Sequence, residues 1–139
     1  MIAAFAGFPA RFAIAARLAA QRPIADGEWG PSKVARHLIA VEDEVWQSRL
    51  ARIAAEDRPH WPWTEPGLAA GFEDAPLDDI LAAFASARAS TVATVRALDD
   101  AGWARTGTHE TYGVLDVAAL LRIAIDHDSS HLEGIGGGR

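Results

Sequence analysis

The apolar residues of this chain recur at helical spacing in four separate segments, whereas no segment shows the strict alternation of a half-buried β-strand. Each segment is bounded on at least one side by Pro or Gly, as helices commonly are. This pattern predicts an all-α fold, a four-helix bundle formed by residues 1–139 as a single domain. The predicted helices cover roughly residues 4–21, 31–57, 76–102 and 116–135.

The links between the predicted helices differ in length. About nine residues join the first two helices and about fourteen join the last two, whereas about nineteen join the second to the third. A link of that length can run the full height of a bundle, while short links join antiparallel neighbours. We therefore predict an up-down-down-up bundle with a long crossover between helices 2 and 3, and simple up-and-down is the alternative.

Composition narrows the classes of function. The net charge is −6 and no run of Lys or Arg is present, which argues against a nucleic-acid or membrane partner. Because the chain has no Cys, any metal site must be built from His, Asp and Glu. The apolar N-terminus lacks a basic leader region and is interrupted by Arg11 and Arg17, so we interpret it as a core helix and expect a cytoplasmic protein.

The last predicted helix carries two histidines four residues apart, His127 and His131, which share one helical face. On spacing alone, such a pair is more often a surface feature than half of a metal site. His37 is the other histidine well inside a predicted helix. It lies level with the pair if helices 2 and 4 are antiparallel, and roughly 10 Å away in height if they are parallel. The predicted topology makes them antiparallel, so the loop lengths and the histidine positions agree.

Three neutral imidazoles, with the remaining positions left to water, form an open and reactive metal site. Imidazole suits several divalent transition metals, of which we expect Zn or Ni, with Fe or Cu as alternatives. His60 and His109 fall in predicted loops toward the opposite end of the bundle, and we expect both on the surface. Glu44 is expected to be a solvated acid. Asp128 points about 100° away from His127 and is expected to support the site rather than to bind the ion.

The same topology predicts a mouth above the ion at the end of the bundle where helix 2 begins. It would be framed by residues 24–29, by residues 68–76 and by the tail after Gly134. Apolar walls would come from Trp29, Leu68 and Phe72, with acids at Asp26, Glu28 and Glu73. The alternative is that Trp29 plugs the end of the bundle and the loop packs flat.

Three stretches resemble the DinB-like superfamily of metalloenzymes, which also includes bacterial thiol-dependent transferases. They are GEWGPSKVARHL (27–38), THETYGVLDVAALL (108–121) and HDSSHLEGI (127–135). The resemblance covers nearly the whole chain. It implies a four-helix bundle, frequently a homodimer, with a divalent ion at one end held by His37, His127 and His131. Where the family usually has Ser after the Trp, this chain has Gly30, which is also an acceptable helix N-cap.

Two classes of function remain open. The first is a metal-dependent transferase or isomerase that acts on small molecules with a low-molecular-weight thiol, as some members of the family do; a hydrolase could use the same site. Because the chain has no Cys, the sulfur would come from the cosubstrate. The second is a non-catalytic metal- or ligand-binding protein, for example one related to stress. The Ala-rich faces of helices 1 and 3 further predict a homodimer.

Overall fold

Four long helices form a bundle in this computed structural model, which describes residues 1–136. The helices are α1 (Ile2–Ala19), α2 (Pro31–Val41, a π-helical segment Glu42–Gln47, and Ser48–Ala55), α3 (Leu77–Arg96), the short α4 (Asp100–Ala104) and α5 (Val117–Ile135). The predicted four-helix bundle is confirmed, with α1, α2, α3 and α5 as its long helices. Residues 137–139, which include part of the glycine run and of the tail expected at the mouth, lie outside the described residues.

Side-chain contacts fix the relative direction of α1 and α3. The ring of Phe8 meets the ring of Phe84 edge to face, with 6.0 Å between their centroids. Further along α1, the side chain of Arg17 donates a hydrogen bond to Asp78, near the start of α3. The later residue on α1 therefore meets the earlier residue on α3, and the two helices are antiparallel.

Helices α2 and α3 run in the same direction. Arg88 of α3 donates a hydrogen bond to Glu42 of α2, and the side-chain amide of Gln47 donates to the hydroxyl of Thr91. Position increases along both helices from the first contact to the second. The link between them, which includes residues 56–76, therefore returns along the height of the bundle, as predicted.

Helix α5 completes an up-down-down-up arrangement. Phe5, at the start of α1, shares a core cluster with Leu121 of α5, whereas Ala19, at the end of α1, shares another with Ile135. These pairs make α1 and α5 parallel, so α5 is antiparallel to α2. This is the topology that the unequal links predicted.

The core is built on aromatic rings that α1 supplies at helical spacing. Phe5, Phe8 and Phe12 are each at most 1 % exposed. Within the described residues, α1 is also the helix long and apolar enough to meet the criterion for crossing a membrane. In the bundle its aromatic face packs against the other helices, while Ile14 and Leu18 on its outer face are exposed.

A small three-stranded sheet caps one end of the bundle, which the sequence pattern did not predict. Its strands are β1 (His60–Trp61), β2 (Thr106–His109) and β3 (Gly113–Asp116). Strands β2 and β3 form an antiparallel hairpin, and β1 pairs in parallel with β2. Strands of two to four residues are too short to show a recognisable alternation, so this minor sheet leaves no pattern in the sequence.

The third helix ends earlier than predicted. Helix α3 stops at Arg96, and the predicted stop at Gly102 falls inside α4 instead. The Asp99 carboxylate accepts a hydrogen bond from the backbone N–H of Gly102 and so begins a new helix. The periodic pattern continued across a break that this N-cap introduces.

Candidate metal centre and cavity

The bundle brings His37, His127 and His131 together. One ring nitrogen from each lies within 4.8 Å of the others. The Nε2 atoms of His127 and His131 are 3.2 Å apart. Two nitrogens on a tetrahedral ion, each bonded at about 2.0–2.1 Å, are separated by about 3.4 Å. The pair is therefore spaced to share one ion between its Nε2 atoms.

A backbone contact fixes the tautomer of His37. Its Nδ1 lies 3.0 Å from the carbonyl oxygen of Gly67. A carbonyl only accepts, so Nδ1–H is the donor and Nε2 keeps its lone pair free. Metal-binding histidines commonly donate their second ring nitrogen in this way, which orients the ring and strengthens the ligand. Gly67 lies in the crossover between α2 and α3, so this loop helps to set the donor atom.

The two histidines of α5 are held neutral. Burial lowers the pKa of His127 to about 4, with further contributions from the neighbouring His131, His37 and Arg88. Burial and His37 likewise lower the pKa of His131 to about 4. At neutral pH both rings therefore carry free lone pairs, and a metal ion would not have to displace protons from them.

The three histidines fit a divalent transition metal. The donor set is all imidazole, which suits Zn, Ni, Fe or Cu, and an ion on three protein ligands keeps open positions for water or substrate. In the described part of the chain, the buried Nδ1 of His127 makes no hydrogen bond to the protein. The ring of His127 is therefore not oriented by a protein acceptor, whereas the ring of His37 is oriented by the carbonyl of Gly67.

Asp128 contacts a buried arginine rather than the histidine group. Arg88 donates to both carboxylate oxygens of Asp128, at 2.9 and 3.0 Å, and to Glu42 at 2.8 Å. It also donates to the carbonyl of Phe5. Arg88, Glu42 and Asp128 are at most 2 % exposed, and burial raises the pKa of both carboxyl groups. Because Asp128 follows His127 directly, this network fixes the rotation of α5 that turns the histidines toward α2.

The π-helical segment of α2 changes which residues share a face with His37. In a regular helix the twelve residues from His37 to Arg49 would leave the two about 120° apart. A π-helix turns by about 82° per residue, so six such residues remove most of that difference. Arg49 therefore lines the same cavity as His37, whereas Glu44 turns outward and is exposed, as expected of a solvated acid.

A cavity of about 400 Å³ opens beside the histidines, between α2 and α5. Its walls near the histidines are apolar, and residues 63–66 of the crossover and the sheet close its other side. Two aromatic residues of that side, Trp63 and Tyr112, stand near His109, with ring centroids at 6.1 and 4.7 Å from its own. The volume of this cavity suits a small molecule.

His109 is the clearest departure from the sequence-based expectation. It was expected on the surface at the far end of the bundle, but it is only 1 % exposed and lines this cavity. The hairpin of β2 and β3 carries it there, and the sequence pattern did not reveal that hairpin. His60, on β1, is exposed as expected. The up-down-down-up topology holds, although the cavity opens on the side of the bundle that carries His109.

The predicted mouth at the end of the bundle is present in part. A second cleft, of about 420 Å³, reaches His131 between residues 27–29 and Gly134. The predicted contribution of residues 68–76 was wrong. Phe72 packs against the core instead, and Glu73 accepts hydrogen bonds from the backbone N–H of Gly71.

The sequence-based reasoning missed three residues of the cavity between α2 and α5: Arg49, His109 and Tyr112. A partial signal for Arg49 was its position three residues after Trp46 on the helix that carries His37. That signal was not usable, because regular helical spacing turns Arg49 away from His37. The others depend on the sheet and the crossover, whose geometry has no periodic signature.

The geometry agrees with the comparisons with known proteins. A family model described as the DinB superfamily matches residues 10–135. A solved structure, YfiT from Bacillus subtilis, aligns with a TM-score of 0.73 at 20 % identity and covers 96 % of this chain and 81 % of that one. YfiT is described as a probable metal-dependent hydrolase with an unusual four-helix bundle topology. A search of curated proteins found no match.

Proposed function

The chain belongs to the DinB superfamily, and on that basis we propose that it is a divalent-metal-dependent enzyme that acts on small molecules. The observation that carries this proposal is the group of three histidine nitrogens within 4.8 Å, beside a cavity of about 400 Å³ that two of them, His37 and His127, line. A site of that kind needs both an ion with open positions and room for a substrate beside it. We propose Zn or Ni as the ion, with Fe or Cu as alternatives.

The residues of the chain divide into holding and shaping roles. His37, His127 and His131 would hold the ion. A divalent ion bound there would act as a Lewis acid and lower the pKa of a thiol or water beside it. Val41, Val45 and the other apolar residues of the cavity would exclude bulk water, which strengthens electrostatic interactions at the site.

The first reaction class that we propose is transfer or isomerisation with a low-molecular-weight thiol. The chain has no Cys, so the nucleophilic sulfur would be supplied by the cosubstrate. The cavity would have to receive the thiol and an electrophile together. The separate cleft that reaches His131 would offer a binding space for one of them.

Hydrolysis is the second candidate, because YfiT, which has the same fold, is described as a probable metal-dependent hydrolase. In this case water replaces the thiol as the nucleophile. The two candidates differ in one measurable respect, since only the first consumes a thiol.

Metal analysis of protein purified without an affinity tag tests the common part of the proposal. We expect about one transition-metal ion per chain, and we expect its loss in His127→Gln or His131→Gln. His60→Gln, at an exposed histidine, is the matched control and should retain the ion. A protein that binds no metal at micromolar concentrations would contradict the proposal.

Turnover screens then separate the reaction classes. Metal-loaded protein is incubated with simple electrophiles and thiols, and thiol consumption is followed; ester and amide hydrolysis is followed in parallel. Activity lost in His131→Gln and kept in His60→Gln would support a metal-dependent reaction of the class detected. A metal-loaded protein that turns over no substrate would favour the non-catalytic binding function instead.

A further inference from the structure

The guanidinium of Arg49 lies in the wall of the cavity and has no anionic partner among the described residues. The residue is 6 % exposed, and within residues 1–136 it makes neither a hydrogen bond nor an ion pair. Its Cζ atom lies 5.9 and 5.8 Å from the ring centroids of Trp46 and Trp61. Buried arginines are normally paired, as Arg88 is here with two carboxylates. The unpaired charge of Arg49 is therefore a cost to the folded protein that a bound anion would offset.

His109 places a second unpaired donor in the same cavity. Its Nδ1 accepts hydrogen bonds from the backbone N–H groups of Thr111 and Tyr112, at 2.9 and 3.2 Å. The ring proton is therefore on Nε2, which is buried and has no partner among the described residues. Burial, and to a lesser extent the nearby charge of Arg49, lowers the pKa of His109, which favours the neutral ring that donates through Nε2.

Trp46 contributes a third such donor. Its Nε1–H is buried and also lacks a partner in the described part of the chain, and the residue lines the cavity. Burying a donor without a partner is unfavourable, so these two buried donors, beside the unpaired guanidinium of Arg49, indicate a ligand with acceptor oxygens.

The charge balance of the cavity indicates an anion of single charge. Arg49 is its one cationic side chain among the described residues that line it. Glu65 and Asp126 also line the cavity, but both are exposed, and Glu65 accepts a hydrogen bond from the indole N–H of Trp63. These two acids disfavour a dianion such as a phosphate monoester, and a planar carboxylate matches the fork of a guanidinium.

We propose that Arg49, His109 and Trp46 form a subsite for the carboxylate of a small substrate with an apolar or aromatic body. The ring centroid of Trp46 lies 6.0 Å from that of His127, so the proposed subsite is adjacent to the histidine group. Trp63 and Tyr112 would cover the body of the substrate, and its opposite end would reach the histidines. The placement of that reacting end rests on the proposed function, whereas the carboxylate subsite does not.

Calorimetric titration with 4-phenylbutanoate and its neutral amide tests the subsite on tag-free protein. We expect the acid to bind at least about tenfold more tightly than the amide. Arg49→Met should remove that preference while the metal content stays unchanged. The matched control is Arg52→Met, at the next arginine on the same helix, whose side chain points to Glu56 instead and should leave the preference intact.

Two further variants keep the test decisive if Arg49→Met does not fold. His109→Phe keeps a ring but removes the Nε2–H, and Arg49→Lys keeps the charge but loses the fork; each should weaken binding of the acid severalfold. Equal binding of acid and amide, no effect of these variants, or tighter binding of phenyl phosphate than of the acid would overturn the subsite.

Metal content measured on the same samples separates this inference from the proposed function. Acid binding through Arg49 in a protein that holds no metal would support the subsite and contradict the proposed enzyme. A metal-loaded protein that does not distinguish acid from amide would contradict the subsite alone.

Discussion

Arg88 donates hydrogen bonds to both carboxylate oxygens of Asp128 in the middle of the bundle, at 2.9 and 3.0 Å. Asp128 is the residue directly after His127, so the rotation of α5 about its own axis is set by an ion pair rather than by apolar packing alone. Glu42 ties the same arginine to the π-helical segment of α2. One buried side chain therefore connects the two helices that carry the histidines.

Replacing Arg88 should be strongly destabilising. In Arg88→Met two buried carboxylates lose their counter-charge, and we expect the free energy of unfolding to fall by about 3–5 kcal/mol. Urea denaturation followed by circular dichroism measures this loss. Arg96→Met, at an exposed arginine on the same helix, should change the free energy by no more than about 0.5 kcal/mol. Equal stability of the two variants would mean that the network contributes little.

Metal binding should stabilise the folded chain. Only the folded state brings the three histidines together, so adding Zn at a hundred times its dissociation constant should raise the free energy of unfolding by about 2.7 kcal/mol. In differential scanning fluorimetry, adding Zn should raise the melting temperature of the unsubstituted protein and of His60→Gln. A chelator should reverse this rise. A comparable rise in His37→Gln would place the ion elsewhere.

The zinc-free protein should lose stability in mild acid. The pKa values of His127 and His131 are about 4 in the fold, against an ordinary value of 6.5. Between pH 6.5 and 4 these two rings therefore bind protons in the unfolded chain but stay neutral in the folded chain. The free energy of unfolding consequently decreases as the pH falls through this window.

Comparison with the double variant His127→Gln/His131→Gln isolates this effect from the other titrating groups. We expect the difference between the two proteins to change by about 1–3 kcal/mol from pH 7 to pH 4, less than the full shifts imply, because solvent screens partly exposed rings. A pH-independent difference in urea denaturation would show that the rings are not shielded.

We also expect a homodimer, as the family resemblance and the Ala-rich faces predicted. On the outer face of α1, Ile14 and Leu18 lie one turn apart and are 64 % and 61 % exposed. Light scattering should give twice the chain mass of 14.8 kDa, and Leu18→Glu should reduce it to that of a monomer. Val114→Glu, at another exposed apolar residue, is the control and should leave the mass unchanged. A monomeric parent protein would contradict the prediction.

The predictable part of this molecule follows from periodic patterns. The apolar spacing of Phe5, Phe8 and Phe12 indicates a core-facing helix, and the unequal links indicate the topology that places His37 level with His131. Local hydrogen-bonding chemistry lies outside such patterns. The cap at Asp99 breaks a helix that the spacing would continue, and the hairpin that carries His109 is too short to alternate.

Arg49 shows a further limit, since its orientation depends on how many residues complete a turn of α2. The buried contacts of Arg88 with Glu42 and with the carbonyl oxygen of Phe5 were not predicted either. The sequence pattern does not indicate which acid pairs with which arginine across the bundle.

The π-helical turn of α2 is equivalent to one extra residue inserted into a regular α-helix. The residues on either side of it keep the faces that they would have in a regular helix without the extra residue. The twelve-residue interval from His37 to Arg49 is then equivalent to an interval of eleven in a chain that lacks the insertion. Alignments of this chain with others should accordingly place a single-residue gap near the exposed Asp43 or Glu44. A histidine followed by an arginine eleven positions later on a regular helix would present the same pair of groups to the same space.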